Sequence, residues 1–256
     1  MGRTVTLAAA LLFAVSLVTG AAGAAPQRGR GGRLSVGVAE VPLPAGPVVL
    51  DTAEEHKIRV SIVARELSHP WGMAWLPNGD LLVTERAGRL RLIHGGTLDP
   101  TPISGLPPMH VRGLAGLLDV ALHPNFAANK LVYFSYVKDG EKGATTAVAR
   151  GRLDGMALTG VQDVIVTESW MKGNDTADGR FGSRIAFAKD GTLFITCGDR
   201  DRPDGGQNPN DHFGKVIRVN DDGTVPKDNP FVGRAGYRPE ITRSGSATSR
   251  AWRSTP

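Results

Sequence analysis

The chain has 256 residues, 30 Lys and Arg against 25 Asp and Glu, and a formal charge of +5. The excess cations are terminal: Arg3, Arg28, Arg30 and Arg33 precede the first acid, and Arg243, Arg250 and Arg253 follow Ile241 without one, so removing those seven turns +5 into −2 for the stretch between. That excludes a basic nucleic-acid footprint, and a single cysteine, Cys197, excludes an intrachain disulfide and reads as a small core residue.

In chain order, the first element is Arg3 followed by an apolar run from Val5 to Val18 and the small residues Ala22-Gly23-Ala24. This is the layout of a secretory signal peptide over residues 1–24, cleaved before Ala25. The run is short of the roughly 20 residues that span a bilayer, so the reading is an exported protein, periplasmic or extracellular, with no stable membrane anchor. Residues 25–50 are rich in Gly, Arg, Pro and Val without period and read as a flexible linker. The folded domain is expected over 51–241, and the 206 residues from Asp51 onward suffice for one sizeable core.

Three stretches then share one plan. GMAWLPNGDLLVTERAGRLRLI has a short apolar strand, a Pro-Asn-Gly-Asp turn, a second strand, an Ala-Gly turn and a third strand. LLDVALHPNFAANKLVYFSYV with TTAVARGRL repeats that order, and RIAFAKDGTLFITCGDR with GKVIRVNDDG repeats it again around a long polar loop. β-Branched and aromatic residues fill the runs and Gly, Asn, Asp and Pro punctuate them. Units of three or four short antiparallel strands at such spacing predict an all-β propeller ahead of a β-sandwich, which would not need a repeated plan. At about 40 to 50 residues per blade the length accommodates about four blades, and an unclosed arc would leave sheet edges exposed.

The motifs His69-Pro70-Trp71-Gly72, Leu82-Val83-Thr84-Glu85-Arg86, GLAGLLDVALHPNF from Gly113, FGSRIAF from Phe181, CGDR from Cys197, HFGKVIRVNDDG from His212, VPKDNPF from Val225 and Pro239-Glu240-Ile241 follow one another in order. As a series they closely resemble the secreted quinoprotein aldose and glucose dehydrogenases. The resemblance covers about residues 65–241 and implies an incomplete six-bladed propeller. It also implies pyrroloquinoline quinone and calcium as cofactors, a sugar substrate oxidised at C1 to its lactone, and an external electron acceptor.

Several positions depart from the family pattern. Where the resemblance puts the base, a histidine opening His-Phe-Gly-Ser-Arg, this chain has Arg180, whose guanidinium stays protonated. Asp199 of CGDR matches the carboxylate that orients that histidine, and an ion pair with Arg180 is expected in its place. Leu114 stands where the family has a glutamine near sugar or quinone, and leucine offers no hydrogen bond. Gln207 matches a substrate-side glutamine, with a solvated loop residue as the equal alternative. The Asp199-Arg200-Asp201 and Asp204-Gly205 segment lacks EF-hand spacing and reads as a polar loop rather than a metal site. Most calcium and quinone ligands implied by the family would lie beyond residue 256. Asn174-Asp175-Thr176 fits a glycosylation sequon.

The last stretch, TRSGSATSRAWRSTP over 242–256, has no strand pattern. Read one base out of phase from the last base of the Ile241 codon, with ordinary codon choices, it spells Tyr-Ser-Leu-Gly-Gln-Arg-Asn-Val-Gln-Gly-Leu-Ala, a phrase the family carries after Pro-Glu-Ile with one difference. The expectation is an out-of-frame tail on a longer dehydrogenase. Two functional readings follow: a quinone-dependent aldose dehydrogenase, and a non-catalytic secreted propeller that binds a carbohydrate or protein partner.

Overall fold

The computed structural model describes residues 43–53, 56–172 and 179–244. The chain divides at Pro42/Leu43, and every described residue belongs to the second part. The signal segment, the linker up to Pro42, the sequon at Asn174 and the tail from residue 245 lie outside the described residues.

Strands β1 (Val48–Leu50) and β2 (Ile58–Val60) form a two-stranded antiparallel ribbon, with β1 in the closing residues of the stretch read as linker. Three four-stranded sheets follow. The first runs β3 (Pro70–Trp75), β4 (Leu81–Glu85), β5 (Arg89–His94) and β6 (Thr97–Leu98). The second runs β7 (Leu117–Leu122), a single helical turn α1 (Phe126–Asn129), β8 (Leu131–Gly140), β9 (Gly143–Asp154) and β10 (Ala157–Val166). The third runs β11 (Gly182–Phe187), β12 (Leu193–Cys197), a 3-10 turn (Pro203–Gln207), β13 (Val216–Val219) and β14 (Ile241–Arg243).

Each sheet is antiparallel with strands in chain order; the first three strands of each fall largely within one of the three repeated stretches, and the fourth (β6, β10, β14) lies beyond it. The described residues thus form propeller blades of an incomplete ring, three of them four-stranded, with the ribbon as a fourth sheet. β3 packs against β7 and β7 against β11, so the first strand of each four-stranded sheet is its inner strand. Strand β14 enters the tail by two residues: backbone pairing of Val216 with Arg243 and the Thr242 hydroxyl donating to Val216 O at 3.0 Å need no side-chain pattern.

Alternation along β8 shows why the sheets stack. Val132, Phe134 and Tyr136 join Leu82, Leu90, Leu117 and Val120 against the first sheet. Tyr133, between them in sequence, points the other way with Val148 of β9 to meet Ile185, Leu193, Ile195 and Ile217 of the third. A strand's side chains alternate faces, so a sheet buried on both sides reads as nearly continuous apolar sequence. Cys197 lies wholly inside this second layer, where burial pushes its thiol up to about 12 and keeps it protonated.

Polar staples hold the inner strands in register. Thr84 Oγ1 donates to Leu118 O at 2.5 Å and accepts the Gly72 N–H at 2.8 Å, joining the first sheet to β7. The Asp119 N–H donates to Ser135 Oγ at 2.9 Å, and that hydroxyl donates to Ser183 O at 2.7 Å, joining β7 and β8 to β11. Glu85, fully buried, accepts Ser68 N–H, Arg89 Nε and Arg91 Nη1. Burial alone would raise its carboxyl, but those donors together hold it below the usual range.

Candidate functional site

The inner strands converge on a cleft of about 280 Å³. Its walls are Trp71 and Arg86 from the first sheet, Leu114 and Leu118 on the approach to and start of β7, and Arg180, Phe181 and Arg184 around the start of β11. The two positions where the sequence departs from the family pattern, Leu114 and Arg180, therefore meet in one place. A larger hollow of about 430 Å³ between residues 44–47, 61–66 and 96–98 holds none of the candidate residues, and its Arg65 is already spent on Pro44 O.

The backbone at the cleft is bent into uncommon conformations. Arg180 and Ser183 have φ of 54° and 73°, and Arg200 and Asp201, on the turn after β12, have 53° and 62°. Such left-handed positions cost non-glycine residues about 1–2 kcal/mol each and collect at binding sites. Gly198 makes the close approach possible, since a Cβ there would stand 1.7 Å from Arg180 O. Its N–H instead donates to Phe181 O at 2.9 Å, tying the two turns together. On the opposite wall Gly116 plays the same part toward Arg86, with a virtual Cβ 1.8 Å from Arg86 O.

Arg180 Nη1 lies 2.5 Å from Asp201 Oδ1 and 3.8 Å from Asp199 Oδ1. The expected pair with Asp199 is present, but the tighter partner is Asp201, which the sequence reading places only in a polar loop. Asp199 is buried and its Oδ1 accepts the Asp201 N–H at 3.2 Å, so it braces the turn. Gln207 is exposed at the end of the 3-10 turn and is not part of the cleft lining.

Three further residues at the cleft gave no functional signal in the sequence beyond lying inside the quoted motifs. Arg184 stacks over Trp71, its guanidinium carbon 4.8 Å from the ring centroid, and Nη1 donates to Asp119 Oδ1 at 2.9 Å. Asp119 is buried and its other oxygen accepts the Ile185 N–H at 2.9 Å. Burial raises its carboxyl and prevails over that N–H and the Arg184 cation. Behind Phe181, Arg200 stacks at 3.8 Å from the ring and donates to Ala144 O at 3.3 Å.

The cleft therefore offers guanidinia and apolar walls, and no imidazole lines it. It can hold an anion or a flat ligand; arginine cannot remove a proton near neutral pH. Among the described residues no group of three or more His, Cys, Asp or Glu is placed to hold a metal ion. No helix among them is long and apolar enough to cross a membrane.

The family model for glucose / sorbosone dehydrogenase matches residues 67–251. The chain is 40% identical over 220 residues to an uncharacterized protein of Synechocystis sp., covering 79% of this chain and 52% of the relative. It is 37% identical over 190 residues to the aldose sugar dehydrogenase YliI of Escherichia coli, covering 73% and 51%. Among solved structures, the PQQ-bound aldose sugar dehydrogenase of Streptomyces coelicolor superposes with a TM-score of 0.60 at 28% identity, over 77% of this chain and 54% of that one. The chain thus spans about half the length of the curated relatives it matches.

Proposed function

Because the chain belongs to the glucose/sorbosone dehydrogenase family, we propose that its inner cleft is the sugar site of an exported, quinone-linked aldose dehydrogenase. The reaction is oxidation of the sugar at C1 to its lactone, with electrons passed to an external acceptor. The observation that carries the reading is the convergence of Leu114 and Arg180, far apart in sequence, on one cleft. These are the positions where the resemblance puts the amide and the imidazole of the sugar site.

The lining suits a planar tricarboxylate such as pyrroloquinoline quinone. Arg86 would present a guanidinium fork to a carboxylate, Arg180 and Arg184 add positive charge although Asp201 and Asp119 already engage them, and Trp71, Leu114 and Phe181 offer apolar walls. When bound, the quinone supplies a two-electron acceptor. This chain's own residues bind and orient the sugar and exclude water from it. The C1 hydroxyl proton has no side-chain acceptor at 180, because Arg180 is protonated and closed onto Asp201. Calcium, the other cofactor the resemblance implies, stays in the reading, with no group of three or more His, Cys, Asp or Glu among the described residues assigned to it.

The test is dye reduction by the purified chain given the quinone and glucose. The natural chain is expected to be nearly inactive, and the double variant Leu114→Gln, Arg180→His to gain roughly 100-fold, the usual scale of a general base. No gain supports the second reading, a propeller that binds a carbohydrate or protein through this face without turnover. The 2.5 Å Arg180–Asp201 pair favours that second reading, because it fills the base's place with a closed ion pair.

A further inference from the structure

A further hollow, of about 350 Å³, shares no residue with the cleft. β3 leaves the cleft at Trp71 and β4 returns to it before Arg86, so the turn between them, at residues 77–80, marks the far end of the first sheet. There Leu76 and Leu92 form one wall, and α1 with Leu153 at the end of β9 forms the other. Ile103 and Phe126, both buried in the layer between the two sheets, form an apolar floor. The volume falls within the range of about 300–1,000 Å³ that small-molecule sites occupy.

Two charged side chains border the hollow, and they differ in what holds them. Asp80 is buried and engaged, one carboxylate oxygen accepting His94 Nδ1 at 2.6 Å and the other Asn78 Nδ2 at 2.9 Å. Lys130 is exposed, pairs with no carboxylate among the described residues, and carries its Nζ 5.5 Å from the centre of the Phe126 ring. Its backbone is fixed: the N–H donates to Phe126 O at 2.8 Å and the carbonyl accepts the Leu153 N–H at 2.9 Å. Lys130 closes α1 with φ of 57°, a left-handed position where glycine is the usual residue. A helix of one turn has too little dipole to account for a cation there.

An unpaired ammonium above an apolar floor is complementary to an anion carried on an apolar chain, because the chain gains by burial and the ion pair fixes the head. Asn78, the one amide at the hollow, is taken up by Asp80, so a neutral sugar finds no hydrogen-bonding side chain. The walls are aliphatic and give a flat ring nothing to stack between, which favours an alkyl chain.

We propose that this hollow binds a free medium-chain fatty acid, with the carboxylate on Lys130 and the chain along Ile103 and Phe126. The site lies outside the sugar-oxidation reading and does not depend on it.

Calorimetric titration of the full chain with octanoate, acetate and 1-octanol tests it. Octanoate is expected to bind at least about 10-fold more tightly than acetate, which lacks the chain, and than 1-octanol, which lacks the charge. Lys130→Met should weaken octanoate about 10-fold, to the level of 1-octanol, whereas Lys130→Arg should keep most of the affinity. Lys130→Gly should lose as much as Lys130→Met, in a variant whose residue suits that backbone better than lysine does. Ala127→Trp, at an exposed position of α1 that lines the hollow, should fill it and abolish octanoate binding with Lys130 intact. Octanoate binding no tighter than acetate or 1-octanol, affinity unchanged in Lys130→Met, Lys130→Gly or Ala127→Trp, or no octanoate binding at all overturns the proposal.

Discussion

The second sheet and the wall of the cleft built by Arg180–Ser183 and Arg200–Asp201 are neighbours with opposite design. In the sheet, Val132, Phe134 and Tyr136 face one side and Tyr133 the other, β8 and β9 pair without a break from Leu131 to Gly140, and packing explains the apolar residues. In the wall, four non-glycine residues take left-handed φ, and charged groups are drawn together across turns. The sheet is where stability comes from, and the wall is where conformational strain is spent on placing side chains.

The sharpest way to break that contrast is to cut into the sheet. Phe134→Ala, at a site with no exposure, should cost about 3–5 kcal/mol in chemical denaturation. A cost under about 1 kcal/mol would show that the sheet is looser than its packing implies.

Asp119 sits on the border, bonded to Arg184 at the cleft and to the Ile185 backbone in the sheet. Asp119→Ala strands a guanidinium and a buried N–H, so a loss of about 3 kcal/mol is expected, together with loss of the Arg184–Trp71 stack. Tryptophan fluorescence on the same variant reads the second effect. An unchanged emission spectrum with unchanged stability would assign Asp119 to neither region.

Acid should distinguish the third sheet's polar support from its apolar layer. His212 is buried, its Nδ1 accepting the Glu168 N–H at 2.8 Å, so the proton sits on Nε2 and is donated to Glu240 Oε1 at 2.9 Å. Burial lowers the imidazole's affinity for a second proton, so the folded form favours neutral His212 and loses stability as pH falls below the ordinary histidine range. Burial raises the Glu240 carboxyl, but His212 and Arg238 outweigh it and hold it at about 2. Its stabilisation is present above the ordinary carboxylate range and is lost as pH falls toward that value. Melting temperature should therefore fall steadily from about pH 7 to about pH 3, and less steeply in His212→Gln. A flat profile would remove this pair from the stability of the sheet.

The smallest expected effect is at the wall itself. Arg180→Gly relieves a left-handed arginine while removing its half-exposed pair with Asp201, and the two should nearly cancel, within about 1 kcal/mol. A larger loss would mean that the ion pair, and not Gly198 and the Gly198–Phe181 bond, holds the two turns together.

The three repeated stretches map onto the first three strands of the three four-stranded sheets because alternation and turn residues act within a few positions of each other. Cys197 is where an apolar neighbourhood predicts it. Leu114 and Arg180 were legible as departures, but not as neighbours, since nothing local says that a loop before β7 and a turn before β11 face each other. Arg86, Trp71 and Arg184 sit inside the quoted motifs, yet only their common position along the inner strands makes them a site. Gln207 was matched by motif and lies on an exposed turn, outside the residues that line the cleft. The ribbon of β1 and β2 was missed because two three-residue strands carry too few alternations to register.

The first three strands of each four-stranded sheet and the turns between them follow from the order of residues alone, since a strand's period of two and the φ demands of Gly, Asn and Asp are local. That Arg180 closes onto Asp201 rather than chiefly onto Asp199, and that Arg86 has no such partner among the described residues, was decided only when the sheets stacked. Which carboxylate reaches which guanidinium depends on left-handed turns and on inner strands meeting at one end, and the hydrophobic pattern that drives the stacking is indifferent to both.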